Sequence, residues 1–217
     1  MSIPRLTKLR KYWGELHERL ELDRDCSWLF QDIVNCYNDE LRFYHNLDHL
    51  LEGLEELQQA RRLLAYTPTV EMAWWFHDTI YVPANLDNEF QSGEFAGRCL
   101  TQTSYPPESI QRVKDLIGGT THAAETKDPE LQLLLDVDLT ILGQEEARFD
   151  AYEVGVRKEY AHLSKREFAE GRKRILEVFL GRKHLYTTKF FRAKYETAAR
   201  QNLNRSIRRL DKILGVK

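Results

Sequence analysis

Cysteine is scarce in this chain. Cys26, Cys36 and Cys99 are odd in number and show neither metal-knuckle nor disulfide spacing. A disulfide-stapled scaffold is thereby excluded, and a reducing, cytoplasmic setting is the simplest expectation. Long apolar runs are also missing. No stretch approaches the roughly 18 apolar residues that span a bilayer, so no membrane partner is expected. The opening Met1-Ser2-Ile3-Pro4-Arg5-Leu6-Thr7-Lys8 lacks the apolar region of a signal peptide. Gly118-Gly119 has neither the preceding strand nor the lysine of a nucleotide-binding phosphate loop. No serine or cysteine stands in a recognisable nucleophile arrangement with His and Asp. Strand-like alternation, internal repeats and low-complexity linkers are absent as well.

What is present fits a soluble globular protein: 217 residues, 42% hydrophobic and 30% charged, enough for one sizeable core. The net charge of −2 hides an asymmetry. Residues 1–156 carry 14 Lys/Arg against 28 Asp/Glu, and residues 157–217 carry 18 against 6, so the two parts are near −14 and +12. A basic half can serve as a phosphate or nucleic-acid surface. Here the basic residues are spread along helices and not gathered in one tract. Packing between oppositely charged halves is therefore the expectation, and nucleic acid is not the expected partner.

Apolar residues recur at three- and four-residue spacing nearly throughout. The spacing predicts helices over 3–22, 25–39, 46–65, 69–80, 87–102, 107–118, 129–142, 145–162, 165–181 and 193–214. Breakers fall between them: Thr67-Pro68, Val82-Pro83, Pro106-Pro107, Gly118-Gly119 and the cap-like Asp128-Pro129. The expected architecture is all-α, a single domain over 1–217 with a core at about 42–142 and basic helices from 145 to 217 packed on it.

Two segments carry the chemistry. Tyr44-His45-Asn46-Leu47-Asp48-His49 sets two histidines four apart, a spacing that shares one helix face, and His77-Asp78 follows 28 residues after His49. His77-Asp78 closes the apolar run Met72-Ala73-Trp74-Trp75-Phe76, where Trp74-Trp75 reads as core and not as a stacking platform. His49 shares an inward stripe with Gly53, Leu57 and Ala60, and Gly53 leaves space one turn away. A buried imidazole beside a carboxylate is costly unless something compensates the charge. A divalent metal does so. Carboxylate and imidazole together suit Zn²⁺, Mn²⁺, Fe or, with more waters, Mg²⁺, and Ni²⁺ stays open. In Leu131–Leu142 the apolar stripe through Leu131, Leu134, Leu135 and Leu142 also contains Asp138, whereas Asp136 lies about 200° away. Asp138 is thus expected to be the buried acid that needs a cation. Asp136 is left to cap, pair with Lys/Arg, or contact substrate.

These residues together resemble the HD superfamily of metal-dependent phosphohydrolases, whose ligands run His … His-Asp … Asp on a helical core. The resemblance covers roughly residues 42–142 and implies His49, His77, Asp78 and Asp138 as ligands of one or two divalent ions. Tyr44-His45-Asn46-Leu47-Asp48-His49 is similar to the Tyr-His-Asn-x-x-His signature of cyclic-nucleotide phosphodiesterases in that superfamily, which implies His45 as general acid. The His-Pro-Gly that follows their His-Asp is replaced here by Thr79-Ile80-Tyr81-Val82-Pro83. Over its whole length the chain is similar to uncharacterised bacterial HD proteins of this size, in which Asp87-Asn88-Glu89 and Asp136-Val137-Asp138-Leu139 accompany the core motifs.

The chemistry also fits the residues on their own terms. Phosphoester hydrolysis needs a metal that activates water and a leaving-group acid near neutrality, a range that histidine occupies. Glu89 is the candidate that orients His45; its alternative is a place in the first turn of the next helix, capped by Asp87. His122 is open between second-metal ligand, phosphate contact and loop histidine. Arg42, one turn before His45, then Arg157 or Arg172, are the basic residues placed to reach a phosphate, against the alternative of interhelix ion pairs. The expectation is a phosphohydrolase acting on a phosphomonoester or phosphodiester, a nucleotide or related small molecule, as monomer or homodimer. Its rivals are a di-iron oxygenase on the same scaffold and a non-catalytic metal-dependent nucleotide-binding protein.

Overall fold

A computed structural model describes residues 3–22, 26–83, 85–122 and 125–216. Ten α-helices run through them: α1 (Ile3–Arg19), α2 (Ser27–Tyr37), α3 (Leu47–Ala60), α4 (Pro68–Phe76), α5 (Asn88–Leu100), α6 (Pro107–Gly118), α7 (Pro129–Asp138), α8 (Glu146–Glu159), α9 (Lys165–Gly181) and α10 (Lys189–Leu214). Short 3₁₀ turns follow α6 at Gly119–Thr121 and α7 at Leu139–Gly143. The described residues contain no strand, and the protein is all-α, as its periodicity indicates. No described helix is long and apolar enough to cross a membrane. The chain divides into two compact units, Met1–Leu134 and Leu135–Lys217, and the division falls inside the continuous helix α7.

In the first unit α4 packs against α1, α3, α5 and α6. Its residues from Thr69 to Phe76 are all buried, with the one carboxylate among them, Glu71, paired with Arg19. Trp75 sits edge-on to Trp13 at 5.1 Å and to Phe30 at 6.1 Å. Trp74 lies over Gly53, where a Cβ would fall 1.9 Å from the indole ring. The space left by that glycine is therefore filled by tryptophan, and Trp74 Nε1 donates to the Leu50 carbonyl at 2.9 Å.

Helix α4 stops at Phe76, four residues short of the predicted end, because side chains replace its hydrogen-bond ladder. His77 Nδ1 takes the Trp74 carbonyl at 2.8 Å, Thr79 Oγ1 takes that of Phe76 at 2.8 Å, and the Asp78 amide turns to Tyr37 Oη at 3.1 Å. Helix α3 likewise ends early, where Tyr66 Oη donates to the Leu57 carbonyl at 2.9 Å.

In the second unit α10 packs on α9 and on the Leu139–Gly143 turn. Asn202 donates to the carbonyls of Leu142 and Gln144, both at 2.8 Å, and ties that turn down. Helix α9 starts at a capping box formed by Ser164 and Glu167. Helix α10 begins four residues before its predicted start, because Thr188 caps it by accepting from the Phe191 amide. Many of the basic side chains find acids inside this same unit. Arg172 pairs with Glu153, Arg205 and Arg209 with Asp150, Arg200 with Glu196, and Lys173 with Asp211.

Candidate metal centre

The first histidine segment begins with a cap. Asn46 accepts the Asp48 amide at 2.8 Å and starts α3 at Leu47. His49 thus occupies the first turn of α3, almost fully buried at 3% exposure. His45 precedes the helix, so the two histidines do not share a helix face as their spacing suggests. Their rings are still neighbours, with centroids 5.8 Å apart.

His77 follows the last residue of α4 and is also buried. Its ring stacks on Trp74 with centroids 4.0 Å apart. Because Nδ1 is held by the Trp74 carbonyl, the ring proton belongs on Nδ1 and Nε2 presents its lone pair. That lone pair faces His49 Nε2 at 3.1 Å and Asp78 Oδ2 at 3.2 Å, and His49 Nε2 stands 3.5 Å from the same oxygen.

This triangle tests the fit of a metal. A proton on His49 Nε2 can serve one of its two neighbours, whereas a divalent cation serves all three lone pairs. Two nitrogens bound to one ion at about 2.1 Å stand about 3.0 Å apart at a right angle and about 3.4 Å apart at the tetrahedral angle. The 3.1 Å between the imidazoles falls in that interval. The donor set of nitrogen and carboxylate oxygen fits a divalent ion.

Burial alone would push the Asp78 carboxyl up. When a proton instead of a cation sits between these groups, the charge of His77, its hydrogen bond, and the charges of His45 and His49 outweigh that effect and hold the Asp78 carboxyl well below the usual carboxylate range. Asp78 is also fixed through its main chain: its amide donates to Tyr37 Oη at 3.1 Å and its carbonyl accepts from Arg42 Nη1 at 2.6 Å.

The other expected site residues are placed as follows. His45 is half-buried and stacks on Tyr81 with centroids 4.0 Å apart. Glu89 is in the first turn of α5. Its neighbour Asn88 closes the preceding loop by bonding both the amide and the carbonyl of Val82 at 3.0 Å. Asp87 stands at the N-cap position of α5 without a side-chain cap bond and accepts instead from Gln91. His122 adopts a left-handed conformation, φ 56°, at the end of the Gly119–Thr121 turn. Arg42 donates to the carbonyls of His45, Asp78 and Thr79. Arg157 bonds the carbonyls of Tyr160 and Leu163, and Arg172 bonds Glu153 and Tyr152.

One expectation is reversed. Asp136, not Asp138, is the fully buried acid of α7, at 1% exposure, while Asp138 is half-buried. Asp138 is the last residue of α7, where the chain tightens into a 3₁₀ turn and the 3.6-residue period stops applying. The Asp136 carboxylate accepts the Thr187 and Thr188 amides, both at 2.7 Å, at the start of α10. Tyr37 was missed altogether. It comes from α2, outside the motif-bearing stretch, and a tyrosine on an apolar helix face carries no sequence signal of what its hydroxyl meets. The cysteines are free, and burial pushes the Cys99 thiol up to about 11 and that of Cys36 upward too. Neither is a thiolate at neutral pH.

No family model, no curated protein and no solved structure matches this chain.

Proposed function

We propose that this protein is a metal-dependent phosphohydrolase of the HD type, cleaving a phosphomonoester or phosphodiester of a nucleotide or related small molecule. The observation that carries this reading is the convergence of His49 Nε2, His77 Nε2 and Asp78 Oδ2, every separation being 3.5 Å or less, with His77 holding its proton on the far side of the ring. A divalent cation held by His49, His77 and Asp78 would supply Lewis acidity, polarising a phosphoryl oxygen and activating water.

The chain's own groups supply the rest. Trp74 orients His77 twice, through the stacked ring and through its carbonyl, so the coordinating nitrogen is pre-aimed. His45 delivers a proton to the departing oxygen, with its ring laid on Tyr81 and its carbonyl held by Arg42 at 3.2 Å.

Elemental analysis of protein purified without added metal, followed by a phosphate-ester screen on the same preparation, tests the reading. The expected result is about one divalent ion or more per chain and metal-dependent release of phosphate or alcohol. Two irons with oxygen uptake and no hydrolysis would replace it with the oxygenase. Saturable nucleotide binding without turnover in Mn²⁺, Mg²⁺, Fe²⁺ or Ni²⁺ would replace it with the binding protein.

A further inference from the structure

We infer that Arg42 and Tyr37 form a brace that fixes the Asp78 peptide against the His45 main chain, so that Arg42 is a positioning residue and not a phosphate ligand. The inference rests on the metal-centre reading and deepens it.

The Asp78 peptide is gripped on both sides. Its amide donates to Tyr37 Oη at 3.1 Å, and its carbonyl accepts from Arg42 Nη1 at 2.6 Å. The same Nη1 donates to the His45 carbonyl at 3.2 Å, and Nη2 donates to that of Thr79 at 2.9 Å. Asp78 and Thr79 lie just past the last turn of α4, where main-chain carbonyls have no helical partner. Three of the guanidinium's five N–H donors are therefore engaged by main chain. Its carbon also lies 5.4 Å from the Tyr37 ring centroid and 5.7 Å from that of Tyr81. Tyr37 is fully buried, and its hydroxyl also stands 3.4 Å from His77 Nδ1. One planar fork thus joins the segment that carries the proposed acid to the turn that carries a proposed ligand. A lysine keeps the charge but is a point donor that cannot reproduce the fork. That difference separates a brace from a phosphate contact.

The test compares the full chain with Arg42→Lys and Tyr37→Phe. Three readouts are needed: Mn²⁺ affinity by calorimetry, hydrogen exchange of residues 77–81 without metal, and steady-state kinetics on bis(p-nitrophenyl) phosphate. The brace requires about tenfold weaker Mn²⁺ binding in both variants, within the range seen when outer-shell partners of metal ligands are removed. It also requires about tenfold faster exchange over 77–81, and a lower kcat with KM within about twofold. Unchanged Mn²⁺ affinity and exchange in Arg42→Lys, with a raised KM, would make Arg42 a phosphate ligand and overturn the inference. If Arg42→Lys fails to fold, Tyr37→Phe removes a single oxygen and decides by the same readouts. Wild-type protein that binds no Mn²⁺ would end the metal-centre reading, while the brace would still be judged by exchange in the metal-free protein.

Discussion

Asp78 and Asp136 are both carboxylates drawn into the protein interior, and their surroundings differ in kind. Asp136 meets donors: the amides of Thr187 and Thr188 each give it a 2.7 Å hydrogen bond, and it fastens the start of α10. Asp78 meets acceptors. With its Nδ1 proton given to the Trp74 carbonyl, the neutral His77 ring turns the Nε2 lone pair toward Asp78 Oδ2, 3.2 Å away. A buried acid whose neighbours complete its hydrogen bonds is architecture; one whose neighbours bring further lone pairs is a place for a cation. Depth of burial does not separate the two. Asp136 is the more buried, and it is the structural one.

The contrast breaks down most visibly if Asp78→Ala is harmless. The expected result is loss of measurable Mn²⁺ retention and of turnover, with helical content by circular dichroism unchanged. Next in size is His45→Ala, expected to keep its metal while kcat falls by about 10²–10⁴. Loss of metal with an unaltered rate per bound ion would remove the acid assignment. Mn²⁺ at 100 times its Kd is expected to stabilise the folded chain by about 2.7 kcal/mol. For a chain of this length that is a rise in Tm of roughly 5–10 °C. A calorimetric scan that shows no shift speaks against the site.

The smallest effects belong to Asp136. Asp136→Ala leaves two amides unanswered and is expected to cost about 2 kcal/mol at pH 7 by urea unfolding. Burial lifts the folded Asp136 carboxyl to about 6, against the pull of the Thr187 and Thr188 bonds, while the unfolded chain titrates near 4. The folded state therefore holds this proton more tightly. The stability it adds is fully present below about pH 4 and is lost as pH rises through 6. The gap between wild type and Asp136→Ala should widen on acidification from pH 6 to 4, on the order of 1 kcal/mol per pH unit. A gap that narrows instead would show that the amides, not burial, govern this group.

Local signals were legible and distant partners were not. The periodicity of 165–181 matches α9 at both ends, and its start is fixed by a local cap, Ser164 with Glu167. His49, His77 and Asp78 could be picked from spacing and motif order, and their ligand atoms lie within 3.5 Å of one another. The early end of α4 could not be read, because the groups that stop its ladder include Tyr37, about forty residues away. The exchange of Asp136 for Asp138 has a similar origin. Periodicity counts one helix at a time, and what buries Asp136 is a segment fifty residues downstream. The basic surplus past residue 156 meets acids from before it in the pairs of Arg172 with Glu153 and of Arg205 and Arg209 with Asp150, whereas Arg200–Glu196 and Lys173–Asp211 close within the basic part.

The indole of Trp74, stacked on His77 and bonded back to the chain beside His49, gives the molecule a built-in optical gauge. A paramagnetic ion seated on those imidazoles would lie close enough to dim its fluorescence. Occupancy could then be followed by light alone, with no label and no knowledge of the natural ester.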